Sequence, residues 1–251
     1  MRAIDLNADL GETVEGVPTS DDAAMFAVVS SASVACGGHA GDAASMRAAV
    51  VLAERHGVAI GAHPSYPDRP GFGRTPLPMD PARLRESVSA QLAALTAAGA
   101  DIRYVKPHGA LYHAAGSRAE VAEPVVAAVA ALAERLGRAV PVLGLGDQLA
   151  RAARRAGLPF VREAFLDRGY TRDGALVPRG EPGDLLHSPD EVAARAVRLA
   201  TKGEVLAVDG TLVETDAASL CLHGDTAEAV ALARAVRVAL TAAGVEVRAP
   251  W

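Results

Sequence analysis

The sequence predicts a β/α barrel, a closed parallel sheet wrapped by helices, in which one of the usual strands is irregular or missing. Short apolar runs alternate with longer Ala-rich helical segments along the chain, the order that lays helices over a parallel sheet. The length, 251 residues, matches the roughly 250 residues of that architecture. About seven strand-like runs are readable, one short of a regular eightfold barrel. A doubly wound open sheet is the alternative. Gly144-Leu145-Gly146 before a helix echoes a dinucleotide-binding turn, but position 149 is Leu where a third Gly would stand. It is read as an ordinary turn. No linker or repeat of 20–50 residues divides the chain, so residues 1–251 are read as a single domain.

In chain order, strands are expected near residues 3–9, 31–36, 58–62, 102–106, 140–145, 159–163 and 219–223. Their apolar residues are bounded by Gly, Pro, Asn or Asp. Between them, Asp42 suits the N-cap of a helix reaching His56, with Gly57 as its left-handed stop. Asp80-Pro81 opens another, closed by Gly99. Ser188-Pro189 repeats that opening, and Asp225-Thr226 starts the last long helix, ended by Gly244. Asp173-Gly174 and Asp209-Gly210 sit between β-prone residues and predict two hairpins.

Composition narrows the partners. Hydrophobic residues make up 50% of the chain and aromatics only 4%, so Ala, Val and Leu must fill most of the core. A net charge of −5 and a pI near 5.8, with arginines scattered among helices, argue against nucleic acid or a membrane surface as partner. No apolar run approaches the ~20 residues of a bilayer span, and the first residues lack a signal peptide's apolar stretch. Cys36 and Cys221 make no disulfide framework, and each ends an apolar run where a small buried thiol fits. A cytoplasmic location is expected.

Polar residues gather where strands end. Asp5, Asn7 and Asp9 alternate with apolar neighbours and share one face of the first strand. Later runs close on His39, on His63, on Lys106-Pro107-His108, on Glu163 and on His223-Gly224-Asp225. A β/α barrel builds its active site at this face. Four of the seven histidines lie there, while His56, His113 and His187 do not. Lys106 is one of only two lysines, with Lys202, among 25 Lys and Arg. A chain that uses Arg so freely marks a retained Lys as a compact ammonium responsive to its surroundings. Plainer roles stay open: a chance loop lysine, N-caps at Asp42 and Asp225, a structural histidine, a buried Glu163–Arg ion pair.

Asp9, His39, His63 and His223 are suitable metal-donor types. They would have to converge from separate strands, and no His-Glu-x-x-His signature occurs, so the residues alone leave a divalent metal open. A serine nucleophile lacks its Gly-x-Ser-x-Gly elbow, and a buried cysteine would have a raised pKa. The loop of residues 64–74, rich in Pro and Gly, is placed to cover the site, with Arg69 or Arg74 to hold a carboxylate. Residues 165–170 offer a second such loop.

Several segments together resemble the LamB/YcsF family, the A subunits of ATP-dependent 5-oxoprolinases. They are Asp5-Leu6-Asn7-Ala8-Asp9-Leu10-Gly11-Glu12, Ala35-Cys36-Gly37-Gly38-His39-Ala40-Gly41-Asp42, Gly61-Ala62-His63-Pro64-Ser65-Tyr66-Pro67-Asp68, Gly71-Phe72-Gly73-Arg74, Lys106-Pro107-His108-Gly109-Ala110-Leu111-Tyr112, Glu163-Ala164-Phe165 with Asp167-Arg168-Gly169-Tyr170, and Cys221-Leu222-His223-Gly224-Asp225. The resemblance spans the chain. It departs at Gly38, Thr75 and His113, where the family more often has Phe, Arg and Asn. It implies an irregular barrel similar to that of glycoside hydrolases and polysaccharide deacetylases. It also implies opening of 5-oxoproline to glutamate, with ATP as co-substrate and subunits B and C as partners. No Gly-x-x-x-x-Gly-Lys-Ser/Thr loop is present, so the partners are expected to handle much of the ATP.

On this basis Asp9, Glu163 or His63 is the candidate general base and Lys106 the oxyanion or phosphate stabiliser. His108 or His223 is the acid for the ring nitrogen, and Arg74, Asn7, His39 and Asp225 are substrate-binding candidates. The alternatives are a metal-dependent amide or carbohydrate deacetylase on the same barrel and a non-catalytic substrate-binding subunit.

Overall fold

The computed structural model describes residues 2–224 and 228–251. In chain order the elements are β1 (Arg2–Leu10), a small hairpin of β2 (Thr13–Val14) and β3 (Val17–Pro18), α1 (Asp22–Phe26), β4 (Ser31–Ala35), α2 (Ala43–His56), β5 (Ala59–His63) and α3 (Pro81–Ala97). There follow β6 (Ile102–Val105), α4 (Gly109–Ser117), α5 (Ala119–Leu136), β7 (Val142–Gly144), α6 (Asp147–Arg155) and β8 (Phe160–Phe165). The last third holds α7 (Pro189–Lys202), the hairpin β9 (Glu204–Leu206) and β10 (Leu212–Glu214), β11 (Ser219–Leu222), α8 (Ala229–Ala242) and β12 (Val245–Val247).

The circuit β1-β4-β5-β6-β7-β8-β11 is parallel throughout and returns to β1, where Asp5 lies opposite Ser219 and Asn7 opposite Cys221. The sheet is a closed seven-stranded barrel, and closure sets the open-sheet alternative aside. β12 extends the start of β1 outside this circuit. Each expected strand is found within a few residues of its predicted place. Asp42 caps α2 with a full capping box and Gly57 ends it in the left-handed conformation; Asp80 caps α3 with Pro81 in its first turn. At Asp209-Gly210 the predicted hairpin forms. At Asp173-Gly174 the chain turns, but only one bridge, Tyr170 to Leu176, accompanies it. The predicted helix start at Asp225-Thr226 lies outside the described residues. Among the described residues, no helix is long and apolar enough to cross a membrane.

Aliphatic side chains and alanines fill the layer between sheet and helices. The barrel interior is different: it is a polar column. At its floor Asp5 accepts hydroxyl hydrogen bonds from Ser30 and Ser31 at 2.7 Å and from Ser219 at 2.5 Å. Burial still pushes its carboxyl up to about 6. Above it Tyr104 crosses the barrel to Ser33, 3.0 Å from hydroxyl to hydroxyl, and stacks on Trp251, whose indole N–H donates to Ser31. The Tyr104 ring fits only because position 61 is Gly: a Cβ there would lie 2.2 Å from the ring. Gly61→Ala is expected to cost ~1–3 kcal/mol by overpacking, measured by urea denaturation. Adding Tyr104→Ala should cost less than the sum of the two single changes, and strict additivity would show that the ring is not what Gly61 accommodates.

Candidate active site

The strand ends meet around Lys106, which directly follows β6. Its Nζ lies 2.6 Å from Asp9 Oδ1. It donates to Asn7 Oδ1 at 3.0 Å, to Cys221 Sγ at 3.3 Å and to Glu163 Oε2 at 3.5 Å. These partners come from β1, β11 and β8, so one ammonium ties three strands to the end of β6. Asn7 is held in turn by donating to Ser219 at 2.8 Å. Lys106 is only 1% exposed. Burial opposes its charge, but the neighbouring anions, Asp9 foremost, hold its pKa well above the usual lysine value. Burial likewise opposes the Asp9 carboxylate, and His63 and Lys106 outweigh it, holding Asp9 well below the usual range. Glu163 therefore pairs with the barrel's lysine and not with an arginine.

Three imidazoles pack on the other side of Asp9. His63, the last residue of β5, has Nδ1 2.8 Å from the Lys106 carbonyl and Nε2 3.2 Å from Asp9 Oδ2. His108, at the N-cap of α4, has Nε2 2.9 Å from the Phe72 carbonyl and Nδ1 3.0 Å from His63 Nε2. His39 stacks face to face on His108 at 3.7 Å and contacts Glu12 Oε1 through Nε2 at 2.9 Å. Burial, then His63, lowers His39 well below the usual histidine value; burial, His39 and His63 do the same to His108.

The loop after β5 sets these rings. Phe72 has a φ of 52°, an uncommon state for a bulky residue, and its carbonyl faces His108. Gly73 follows at φ +65°, where a Cβ would lie 2.8 Å from His39 and 2.9 Å from His108. Only glycine fits against the two stacked side chains. Arg69 spends its Nη1 on the carbonyls of Gly37 and Gly41 and fastens the loop to the turn after β4. Gly38 has a local reason too: the Gln91 side chain, bonded to the Ser65 backbone, occupies the space a Cβ would need.

The groups open onto a cavity of about 540 Å³ lined by Asp9, His63, Arg74, Lys106, His108 and His223. Asn7, His39 and Glu163 are buried behind this front row and do not line the cavity. Asp225 lies outside the described residues. Sequence reading missed Asp167: its Oδ2 is 2.8 Å from His223 Nδ1 and accepts the His223 backbone N–H at 3.1 Å. Burial opposes a charge on His223, but Asp167 outweighs it and raises the pKa above the usual histidine value. Glu12 and the mouth residues Arg118 and Arg179 were missed as well. Burial pushes Cys36 up to about 12 and Cys221 well above the usual thiol value, so neither is poised as a nucleophile. Lys202 lines a separate, wider groove.

Fold and site together define a β/α-barrel protein with a polar strand-end site organised by a buried lysine. The chain belongs to the LamB/YcsF family, whose sequence profile matches residues 4–250. It is 51% identical over 251 residues to the A subunit of 5-oxoprolinase from Streptomyces griseus, covering 98% of this chain and 99% of the relative. It is 47% identical over 254 residues to the protein of the same name from Cutibacterium acnes, covering 99% of each. The crystal structure of the lactam utilization protein from Thermus thermophilus matches with a TM-score of 0.92 at 43% identity, over 98% of this chain and 99% of that one.

Lys106→Met would leave Asp9 and Glu163 buried without their cation, at an expected cost of ~3–5 kcal/mol. Denaturation at pH 7 and pH 5 checks this: the deficit should shrink at the lower pH as Asp9, without its ammonium, takes up a proton more readily. A loss below ~1 kcal/mol would show that the ammonium does not hold the strand ends together.

Proposed function

We propose that this chain opens 5-oxo-L-proline to L-glutamate, as the A component of an ATP-coupled 5-oxoprolinase completed by subunits B and C. The full-length identity to proteins named as the A component of 5-oxoprolinase carries the reading. The geometry supports it, because a buried ammonium, inward-turned imidazole nitrogens and a histidine paired with Asp167 line one cavity. ATP is the co-substrate, and the lack of a phosphate-cradling Gly-Lys-Ser/Thr loop supports leaving much of its handling to the partners. The use of ATP also supports the cytoplasmic location expected from the sequence.

A five-membered lactam is an unreactive amide. Transfer of the terminal phosphoryl group of ATP to the lactam oxygen releases ADP and leaves a carbon that water attacks more readily. The inward-facing lone pairs of Asp9, His63 and His108 orient that water and draw its proton. Lys106 stabilises the negative charge that develops on the substrate. His223, whose protonated form Asp167 favours, gives a proton to the ring nitrogen as the C–N bond breaks. The remaining acyl phosphate reacts with a second water to give glutamate and inorganic phosphate. Arg74 at the cavity wall suits the substrate carboxylate. Asn7, His39 and Glu163 act from behind, by holding Lys106 and by stacking on His108.

Glutamate release from 5-oxoproline and ATP tests the reading. It should need this chain together with B and C, and equal release by B and C alone would overturn it. Lys106→Arg is expected to lower turnover at least ~10²-fold; near-wild-type turnover would reject the ammonium's role. Asp167→Asn should lower the pKa of His223. A general acid works only while protonated, so the basic limb of the pH–rate profile should move to lower pH. An unmoved limb would remove His223 as the acid.

A further inference from the structure

We infer that Asp9 Oδ2, His63 Nε2 and His108 Nδ1 form a binding site for one divalent first-row cation of the Zn²⁺ or Co²⁺ kind. The inference concerns the same strand ends as the proposed reaction but does not depend on the substrate.

Hydrogen-bond accounting carries it. A neutral imidazole has one N–H, and its other nitrogen offers a lone pair. His63 Nδ1 faces the Lys106 carbonyl and His108 Nε2 faces the Phe72 carbonyl. A carbonyl only accepts, so both rings have committed their proton outward. His63 Nε2 and His108 Nδ1 are then two lone pairs facing each other across 3.0 Å. Asp9 Oδ2 adds a third, 3.2 Å from His63 Nε2. The three atoms lie within 4.8 Å of one another. Three converging lone pairs repel unless a positive charge stands among them, either a proton that makes His63 the cation beside Asp9 or a metal ion that takes that proton's place. Lys106 is not that charge, because it sits on the other oxygen of Asp9.

The spacing suits a metal. Ligands bound at about 2.0–2.2 Å stand roughly 3.3 Å apart around a tetrahedral ion and roughly 2.9 Å apart in adjacent octahedral positions. The two closest separations, 3.0 and 3.2 Å, fall between those values. The surroundings suit one as well: each histidine donates its remote N–H to a backbone carbonyl, the outer-shell arrangement that fixes tautomer and ring orientation. The left-handed backbone of Phe72 helps aim one of these carbonyls. All three donors line the cavity, which gives an ion its entry path and leaves further positions for water or substrate. Two imidazoles and one carboxylate select a borderline cation over Mg²⁺ or Ca²⁺.

A second group, Glu12, His39 and His108, also lies within 4.8 Å. There the parallel stacking of the two rings keeps their in-plane lone pairs from meeting at one point. When bound, a cation on the first group would occupy the lone pairs that otherwise orient the attacking water, and would itself supply Lewis acidity toward a lactam or phosphoryl oxygen and acidify a coordinated water.

The test uses the full chain without a histidine tag, stripped with chelator and titrated with Co²⁺ and Zn²⁺. Uptake of one equivalent, with visible cobalt bands, is expected. His63→Gln and His108→Gln should each weaken binding by more than the roughly 10–100-fold that loss of an outer-shell partner costs. His56→Gln, on the exposed end of α2, should leave it unchanged. The wild-type chain gives a readout that needs no variant to fold. On Zn²⁺ addition, long-range ¹H–¹⁵N spectra should show one histidine coordinated through Nε2 and another through Nδ1. No stoichiometric uptake, uptake insensitive to both substitutions, or a metal-independent proton shared between the two rings would overturn the site. Because binding is read without turnover, that failure would leave the assignment of the reaction to the glutamate assay.

Discussion

A single buried ammonium organises this barrel. Lys106 faces two carboxylates, Asp9 and Glu163, and reaches side chains on three other strand segments. Removing three charges from water costs several kcal/mol for each. The arrangement is tolerable because every partner returns part of that cost and because Asn7 and Ser219 continue the network downward. Two carboxylates against one ammonium also leave the upper barrel short of positive charge. That shortage is the electrostatic background against which the nearby imidazoles take their protonation states.

The polar column explains the small residues of the barrel interior. A regular β/α barrel fills its inside with branched aliphatic layers, and here Ser31, Ser33, Gly61 and Ser219 stand among the inward positions. With fewer strands the interior is narrower, and the space left by small residues is taken by one large ring, Tyr104, sealed from below by Trp251. The same economy holds above. Gly73 leaves room for two stacked histidines, and the Phe72 backbone takes an unfavourable conformation of the kind surrounding structure must hold in place.

The barrel was legible because its signals are local. Apolar runs ended by turn residues mark strands, and Asp42, Asp80 and Ser188 mark helix starts by chemistry a single residue carries. The rarity of lysine pointed to Lys106 for a reason the structure makes physical: a compact ammonium reaches four partners within the barrel. What stayed hidden depends on contacts between distant segments. Glu12 and Asp167 stand inside segments singled out by resemblance, yet their work is visible only once His39 and His223 are beside them. Asn7, His39 and Glu163 have residue types that suit direct contact with substrate, and only depth in the barrel places them behind the cavity. Arg118 and Arg179 reach the cavity mouth from outside the strand ends, so no strand periodicity marks them. The short hairpin of β2 and β3 and the added strand β12 are too brief to leave a pattern.

Four histidines at strand ends look alike in sequence, and their partners divide them. His63 and His108 each face a backbone carbonyl, which can only accept, so each turns a lone pair inward. His223 faces a carboxylate, which favours the charged ring and so the form that carries a proton toward the cavity. His39 also faces a carboxylate, Glu12, but it is stacked on His108 behind the cavity and presents no group to it. The cavity thereby holds both electron-donating groups and a histidine biased toward its proton-bearing form, with Lys106 in the same lining. That combination is what breaking a C–N bond by water requires: one group to work on the nucleophile, another to accept the leaving nitrogen. A swap of His63 and His223 would therefore need more than the two side chains; the carbonyl and the carboxylate behind them would have to change places as well.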